Sequence, residues 1–299
     1  MNNITTLKLK PSSANKWMVC SASALEESYI PFEDSKYNER GRLLHSKVEE
    51  LINKKNANNI FSDLSDEQKE FVQKAYEQVH HIINNDDIEY RTEVKVATLD
   101  KITTGIIDLI AYDRNTKTLY IVDHKFGQGV REYAKNNWQL VIYALAGWAM
   151  YKNATKFVLC INQPTFDCFS YIELTERELV ELEKQLIEGV NEATSNTPSY
   201  NPSNSTCKFC KAKSSCPTLL EISKKFITKS KTELTEEDIV YILNNSENVK
   251  TIINSIHNFI DKVESIAIEK IKENGDFCGY TTISSKYVRK YTSDSEESW

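Results

Sequence analysis

Two apolar, β-branched runs that each carry one carboxylate constrain this chain more than any other feature: TGIIDLIAYD, which contains Asp108, and LYIVD, which ends at Asp123 and continues into His124 and Lys125. Ile106, Ile107, Leu109, Ile110 and Tyr112 predict one strand, and Leu119, Tyr120, Ile121 and Val122 predict a second. Between them Asp113, Arg114, Asn115, Thr116 and Lys117 supply turn chemistry, so the segment predicts a β-hairpin. With residues 114–117 as the loop, antiparallel pairing sets Asp108 opposite Asp123 on one face, roughly 5 Å apart at Cβ. Lys125 lies two residues further on, and the pleat turns it to the same face. A one-residue change of loop would break this register.

Carboxylates on buried strands are costly unless something compensates them. One compensation is a salt bridge at the strand end, and the tripeptide D-x-K is common enough for that to be its ordinary meaning. The other is a cation. Two carboxylates and an ammonium suit metal-assisted hydrolysis of a phosphodiester. Oxygen ligands hold Mg²⁺ or Mn²⁺, the bound ion lowers the pKa of a water, and the lysine orients that water or stabilises charge on the phosphate.

The flanking sequence bears on the choice. Upstream, Glu93 sits in the alternating run RTEVKVATLD, and Gly105 precedes Asp108 in a G-x-x-D spacing. Downstream, Gln139 and Tyr143 form Q-x-x-x-Y in the apolar helical stretch NNWQLVIYALAGWAM, where positions i and i+4 share a face. Earlier, His45 falls in the predicted helix ERGRLLHSKVEELI with Glu49 one turn on, where it reads either as a ligand or as an ordinary core or surface histidine.

This order of elements resembles the RecB-like branch of the PD-(D/E)xK nuclease superfamily, whose members place a histidine helix, a G-x-x-D strand, a (D/E)-x-K strand and a Q-x-x-x-Y helix in succession. The resemblance implies an α/β fold, a restriction-endonuclease-like mixed sheet flanked by helices. It implies metal ligation by His45, Asp108, Asp123 and the His124 carbonyl, with water activation assisted by Lys125. Gln139 would position Lys125 or the substrate, Tyr143 would touch the DNA backbone, and Glu93 would support the site through water. A histidine ligand favours manganese over magnesium.

Of seven cysteines, Cys207, Cys210 and Cys216 form C-x2-C-x5-C-P in a Ser-, Asn- and Pro-rich stretch expected to be loop-like and to expose its thiolates. The opening MNNITTLKLK lacks an apolar secretory core, so a disulfide framework is not expected. Three clustered thiolates leave a fourth position, for which Cys20, far upstream in LKPSSANKWMVCSAS, is the candidate. Tetrathiolate ligation suits zinc and iron–sulfur alike. One N-terminal cysteine with a C-terminal triplet is similar to the iron–sulfur nucleases of the same superfamily, including the AddB nuclease domain and the Cas nucleases of CRISPR adaptation. That likeness implies a [4Fe–4S] cluster joining the N- and C-terminal helical parts through four cysteines, with structural Zn²⁺ as the alternative. Pro11, Ser12, Trp17 and Cys20 also match the opening motif of uncharacterised phage and prophage proteins with this core, although Ser21 stands where a proline often follows. Cys160, Cys168 and Cys278 read as packing residues, with Cys278 a possible substitute ligand.

A chain of 299 residues with 40% hydrophobic content can bury one substantial core with an elaborated end. The expected division is a nuclease core with its cysteine staple over residues 1–231 and a helical extension over 232–299. Thr175 with Glu178 and Thr235 with Asp238 have capping-box spacing. Beyond Thr235 an apolar stripe through Val249, Ile252, Ile256, Ile260 and Val263 predicts a helix packed on the core or on a second copy. The acidic end YTSDSEESW is expected to fray. No run is long and apolar enough to span a membrane, and a bacterial cytoplasmic location is expected. A net charge of −6 argues against indiscriminate coating of nucleic acid, but seven lysines between Lys208 and Lys231 face a single Glu221 and could follow a phosphate backbone. DNA is the expected partner, with a phage recombinase or helicase implied by the resemblance. The alternative is a nucleic-acid-binding adaptor that keeps the fold without the chemistry.

Overall fold

In a computed structural model of the protein, Asp113 pairs with Thr118 and Leu109 with Val122, so the hairpin forms in the register that sets Asp108 level with Asp123. The structure describes residues 7–31, 36–53, 60–99, 102–229 and 233–278. The acidic end YTSDSEESW and Lys231 lie outside them.

The chain forms two compact units, residues 1–212 and 213–299. The first runs α1 (Ala14–Trp17), α2 (Ala22–Ser28), α3 (Lys36–Ile52), α4 (Asp66–Ile83), β1 (Ile88–Thr98), β2 (Thr103–Asp113), β3 (Thr118–His124), α5 (Trp138–Met150), β4 (Lys156–Gln163), β5 (Cys168–Thr175), α6 (Glu176–Ala193) and α7 (Asn204–Cys207). The second holds α8 (Pro217–Lys229) and α9 (Glu236–Asn274).

The five strands lie in sequence order. All neighbours are antiparallel except β3 and β4, which run parallel. A parallel pair needs a crossover, and α5 supplies it. On one face Ile110, Leu119, Ile121, Phe157 and Leu159 pack with Leu140 and Tyr143 of α5, Leu186 and Val190 of α6, and Trp17. On the other, Leu109, Ala111, Val122, Val158 and Cys160 pack with Leu44 and Val48 of α3 and with Val72 and Val79 of α4. Burying each such side chain is worth about 1.5–3 kcal/mol before entropy is set against it.

Helix α5 is apolar nearly all round because it is buried nearly all round; nine of its residues, from Gln139 to Gly147, are inaccessible. Gly147 allows it to sit close on the sheet, since a Cβ there would lie 2.9 Å from Ile110 Cδ1. Capping boxes open α6 at Thr175 and Glu178 and α9 at Thr235 and Asp238, at the spacings read from the sequence. Helix α9 carries the C-terminal stripe, with Val249, Ile252 and Ile271 buried but Ile253, Ile256, Ile260 and Val263 exposed. Among the described residues no helix is long and apolar enough to cross a membrane.

Candidate metal centre

The site lies where β2 and β3 part. Strand β1 pairs with β2 along its length, whereas the β2–β3 ladder covers only Leu109 to Asp113 on β2. The half of β2 that β3 leaves uncovered is met by the N-terminal segment. Leu9 bridges in parallel to Thr103, and its N–H donates to the Ile102 carbonyl at 3.1 Å. The resulting crevice has a volume of about 500 Å³ and is lined by Lys8, Lys10, His45, Asp108, Asp123 and Lys125 among others.

Asp108 stands in the middle of it. Its Oδ2 accepts the His124 backbone N–H at 2.6 Å and lies 3.3 Å from His45 Nδ1 on α3. From the other side comes Glu93. Thr92 pairs with Leu109 and Val94 with Ile107, which sets Glu93 level with Asp108, but the ladder lapses there and Glu93 adopts a φ of 50°. A non-glycine residue in that region is uncommon and strained, and such strain collects at functional sites. His45, Glu93 and Asp108 bring one ligand atom each to within 4.8 Å of one another, the only such set of three among the described residues.

Asp123 and Lys125 make a second, adjoining group. Asp123 Oδ1 accepts from Gln139 Nε2 at 2.6 Å, and its Oδ2 lies 2.8 Å from Lys125 Nζ. Lys125 Nζ in turn donates to Gln139 Oε1 at 2.9 Å. The Gln139 amide thus serves the Asp123 carboxylate with its NH₂ and the Lys125 ammonium with its oxygen. It also lies 3.4 Å from Tyr143 Oη, one turn along α5. Asn137 starts that helix, its Oδ1 accepting from Gln139 N at 3.1 Å and Leu140 N at 3.4 Å, so the cap aims the glutamine. Gly105 is required by its surroundings: a Cβ there would lie 2.9 Å from both Cε1 and Oη of Tyr143 and 3.0 Å from Pro11 Cγ.

The electrostatics follow from burial and neighbours. Burial pushes the Asp123 carboxyl up to about 6, Lys125 opposing and the Asp108 charge adding to it. Burial also raises Glu93, helped by Asp108. For Asp108 burial works upward, but the His45 imidazole and the His124 N–H hold the carboxyl below its usual range. The same pairing raises His45 against its own desolvation. Lys125 is raised despite burial because Asp123 and Glu132 face it, so it stays protonated. Tyr143 is pushed up to about 12, by burial first and Asp123 second.

Of the residues expected to hold metal, His45 and Asp108 come together and Asp123 stands aside, engaged by Lys125 and Gln139. Glu93, expected only as a support through water, is the third residue whose ligand atom converges with those of His45 and Asp108. His124 reaches the site through its backbone; its ring is buried against Phe126, with neither nitrogen hydrogen-bonded, and burial brings its pKa down to about 4. The alternating letters of RTEVKVATLD give no sign of the lapse at Glu93. An acid in mid-strand, opposite a G-x-x-D aspartate, is the one signal that could have marked it.

The cysteine stretch departs from expectation in its burial. Cys207 is only 5% exposed and Cys20 only 9%, with Cys210 half-buried and its thiol pushed up to about 11 by that burial. The Cys20 segment packs against the loop of Cys207 and Cys210. Asn201 N–H reaches Cys20 Sγ at 3.4 Å, Lys16 Nζ donates to Phe209 O at 3.3 Å, and Lys211 N–H donates to Glu27 Oε1 at 2.7 Å. Among the described residues no three cysteine sulfurs lie within 4.8 Å of one another. Cys216 belongs to the second unit.

Fold and site together define an α/β protein with a half-buried His-Glu-Asp set suited to a divalent cation. The chain belongs to the family described as a protein of unknown function, DUF2800, whose profile matches residues 7–298. Two solved structures are similar at low identity. One is a provisionally assigned exonuclease from Eubacterium rectale, with 13% identity and a TM-score of 0.40, covering 69% of this chain and 86% of its own. The other is SSO0001, with 18% identity and a TM-score of 0.33, covering 71% and 86%. Likeness at that level does not bear on activity.

Proposed function

We propose that the protein is a metal-dependent DNA nuclease, acting as an exonuclease, of the RecB-like PD-(D/E)xK type. The observation that carries this reading is the meeting of His45, Asp108, Asp123, Lys125 and Gln139 in one crevice, with Glu93 bringing a ligand atom to within 4.8 Å of those of His45 and Asp108. The donor set of one imidazole and two carboxylates fits Mn²⁺ or Mg²⁺, and the buried Asp123 Oδ2, paired with the Lys125 ammonium but with no well-directed hydrogen bond, offers a further oxygen. Bound there, the ion supplies a water of lowered pKa and neutralises charge on a phosphate.

The protein groups have separate tasks. Asp108 is held anionic by His45 and the His124 N–H, which keeps it a ligand at neutral pH. Lys125, kept protonated, orients the attacking water and stabilises developing negative charge as a donor rather than as a base. Gln139 fixes the lysine, and Tyr143, a neutral phenol at neutral pH, offers a donor to the DNA backbone. The setting in phage DNA processing, with a recombinase or helicase as partner, follows from the sequence resemblance.

That Cys20, Cys207, Cys210 and Cys216 hold one cluster is what the sequence resemblance implies. The packing of the Cys20 segment on the Cys207 loop, nearly two hundred residues apart in sequence, supports it. Tetrahedral zinc with Zn–S near 2.3 Å needs sulfurs ~3.8 Å apart, which Cys20, Cys207 and Cys210 do not meet. Iron–sulfur is the metal the sequence resemblance favours. The test of the nuclease reading is incubation of anaerobically purified protein with end-labelled linear DNA. Cleavage that needs Mn²⁺, stops with chelator and is lost in Asp108→Asn supports it; a metal-independent activity, or none, refutes it.

A further inference from the structure

We infer that Lys8 and Lys10 form a phosphate clamp on the substrate strand, held at the mouth of the crevice by Trp17. The inference rests on the nuclease reading and adds a binding subsite to it. Leu9 is 1% exposed and anchors the segment in the core, while Lys8 and Lys10 on either side are exposed. In an extended segment residues i and i+2 share a face, roughly 6.6 Å apart, and here that face is a wall of the crevice containing Asp108, Asp123 and Lys125. Two ammonium groups on long side chains that start from that face suit phosphates of one polynucleotide strand lying across the carboxylates.

The segment is fixed by its own sequence. The Lys10 carbonyl accepts from Ser13 N at 3.1 Å, Ser13 Oγ at 3.1 Å and the Trp17 indole N–H at 3.1 Å. Trp17 is 1% exposed and belongs to the main core. Asn15 Oδ1 accepts the Trp138 N–H at 2.7 Å, tying the same stretch to the start of α5 and so to Gln139. Pro11 lies against Gly105, three residues before Asp108. The run Lys8 to Trp17 is therefore a bracket that presents two cations to the crevice that holds Asp108 and Asp123. It balances a crevice whose carboxylates alone would repel a phosphate chain.

The experiment compares wild type, Lys8→Gln/Lys10→Gln and the control Lys184→Gln, an exposed lysine on α6 paired with Glu181. Binding of a short labelled single-stranded DNA is read by anisotropy in chelator across about 50–200 mM salt, and Mn²⁺-dependent cleavage is measured separately. Removing one lysine–phosphate pair lowers the slope of log K against log salt by ~0.7 for single strands. The double variant should lose roughly 1.4 of slope, so that its affinity falls roughly sevenfold less than wild type over that range, while Lys184→Gln keeps the wild-type slope. A double variant with the wild-type slope, beside a wild type that cleaves, overturns the clamp and leaves the nuclease reading standing. A slope lowered as expected in a protein that never cleaves supports the clamp and overturns the nuclease reading. Absence of DNA binding by wild type overturns the clamp, and overturns the nuclease reading as well when no Mn²⁺-dependent cleavage accompanies it.

Discussion

Replacing Gly105 by alanine tests whether the close approach of three elements at β2 shapes the site. In a strand, Gly→Ala ordinarily stabilises by about 0.5–1 kcal/mol, because the unfolded chain loses freedom. Here the new Cβ would stand 2.9 Å from Tyr143 Cε1 and Oη and 3.0 Å from Pro11 Cγ, against roughly 3.5–4.0 Å for carbon atoms in comfortable contact. Tyr143 is 4% exposed, inside the main core, and cannot swing aside freely. Overpacking of this kind costs about 1–3 kcal/mol, which reverses the sign and lowers Tm by roughly 2–10 °C. Displacing Tyr143 also disturbs Gln139 and, through it, Lys125, so cleavage should fall with stability. The assay is a double-mutant cycle by denaturant unfolding, with Gly105→Ala made alone and in Tyr143→Ala. Most of the penalty should vanish in the second background, a coupling of about 1 kcal/mol or more. Equal costs in both backgrounds, or a stabilising Gly105→Ala, would show that Tyr143 does not crowd position 105.

Three further outcomes are expected from the same geometry. His124, whose pKa burial brings from 6.5 to about 4, is neutral when folded; the unfolded chain binds its proton first as pH falls, so its contribution is whole above 6.5 and lost on the way to 4. His124→Phe should therefore gain on wild type by roughly 3 kcal/mol between pH 7 and pH 4, read from urea midpoints at each pH; parallel curves would contradict it. Asn137→Ala removes the α5 cap and should cost about 1 kcal/mol while raising KM or lowering kcat through a loosened Gln139, and an unchanged unfolding midpoint would refute the cap. Anaerobically purified protein should be brown with a visible charge-transfer band that Cys20→Ser and Cys210→Ser bleach; a colourless protein binding one zinc would replace the iron–sulfur assignment.

Much of this architecture is legible in the sequence. The turn at residues 114–117 sets the level of Asp108 with Asp123, because loop length fixes hairpin register. The two capping boxes mark the starts of α6 and α9, and the uniformly apolar run after Asn137 reads as a buried helix. Glu93 was not legible as a ligand, since a backbone flip at one residue leaves no mark on an alternating pattern of side chains. Nor was the burial of Cys207. Serine, asparagine and proline predict an irregular backbone, but exposure depends on the N-terminal segment that returns to cover it from far away in sequence. The role of the opening Lys-Leu-Lys was hidden for the same reason, because it depends on β3 ending where it does and leaving an edge of β2 to be filled.

If α3, β1 and β2 each give one ligand to a single divalent ion, His45, Glu93 and Asp108 bind it together. Titrating Mn²⁺ into the protein and following the free-ion signal by electron paramagnetic resonance tests it without reliance on any activity. One tight site per chain in wild type, greatly weakened in Asp108→Asn and in Glu93→Gln, is the predicted result. Equal Mn²⁺ binding by wild type and Asp108→Asn would rule out a metal centre built on Asp108.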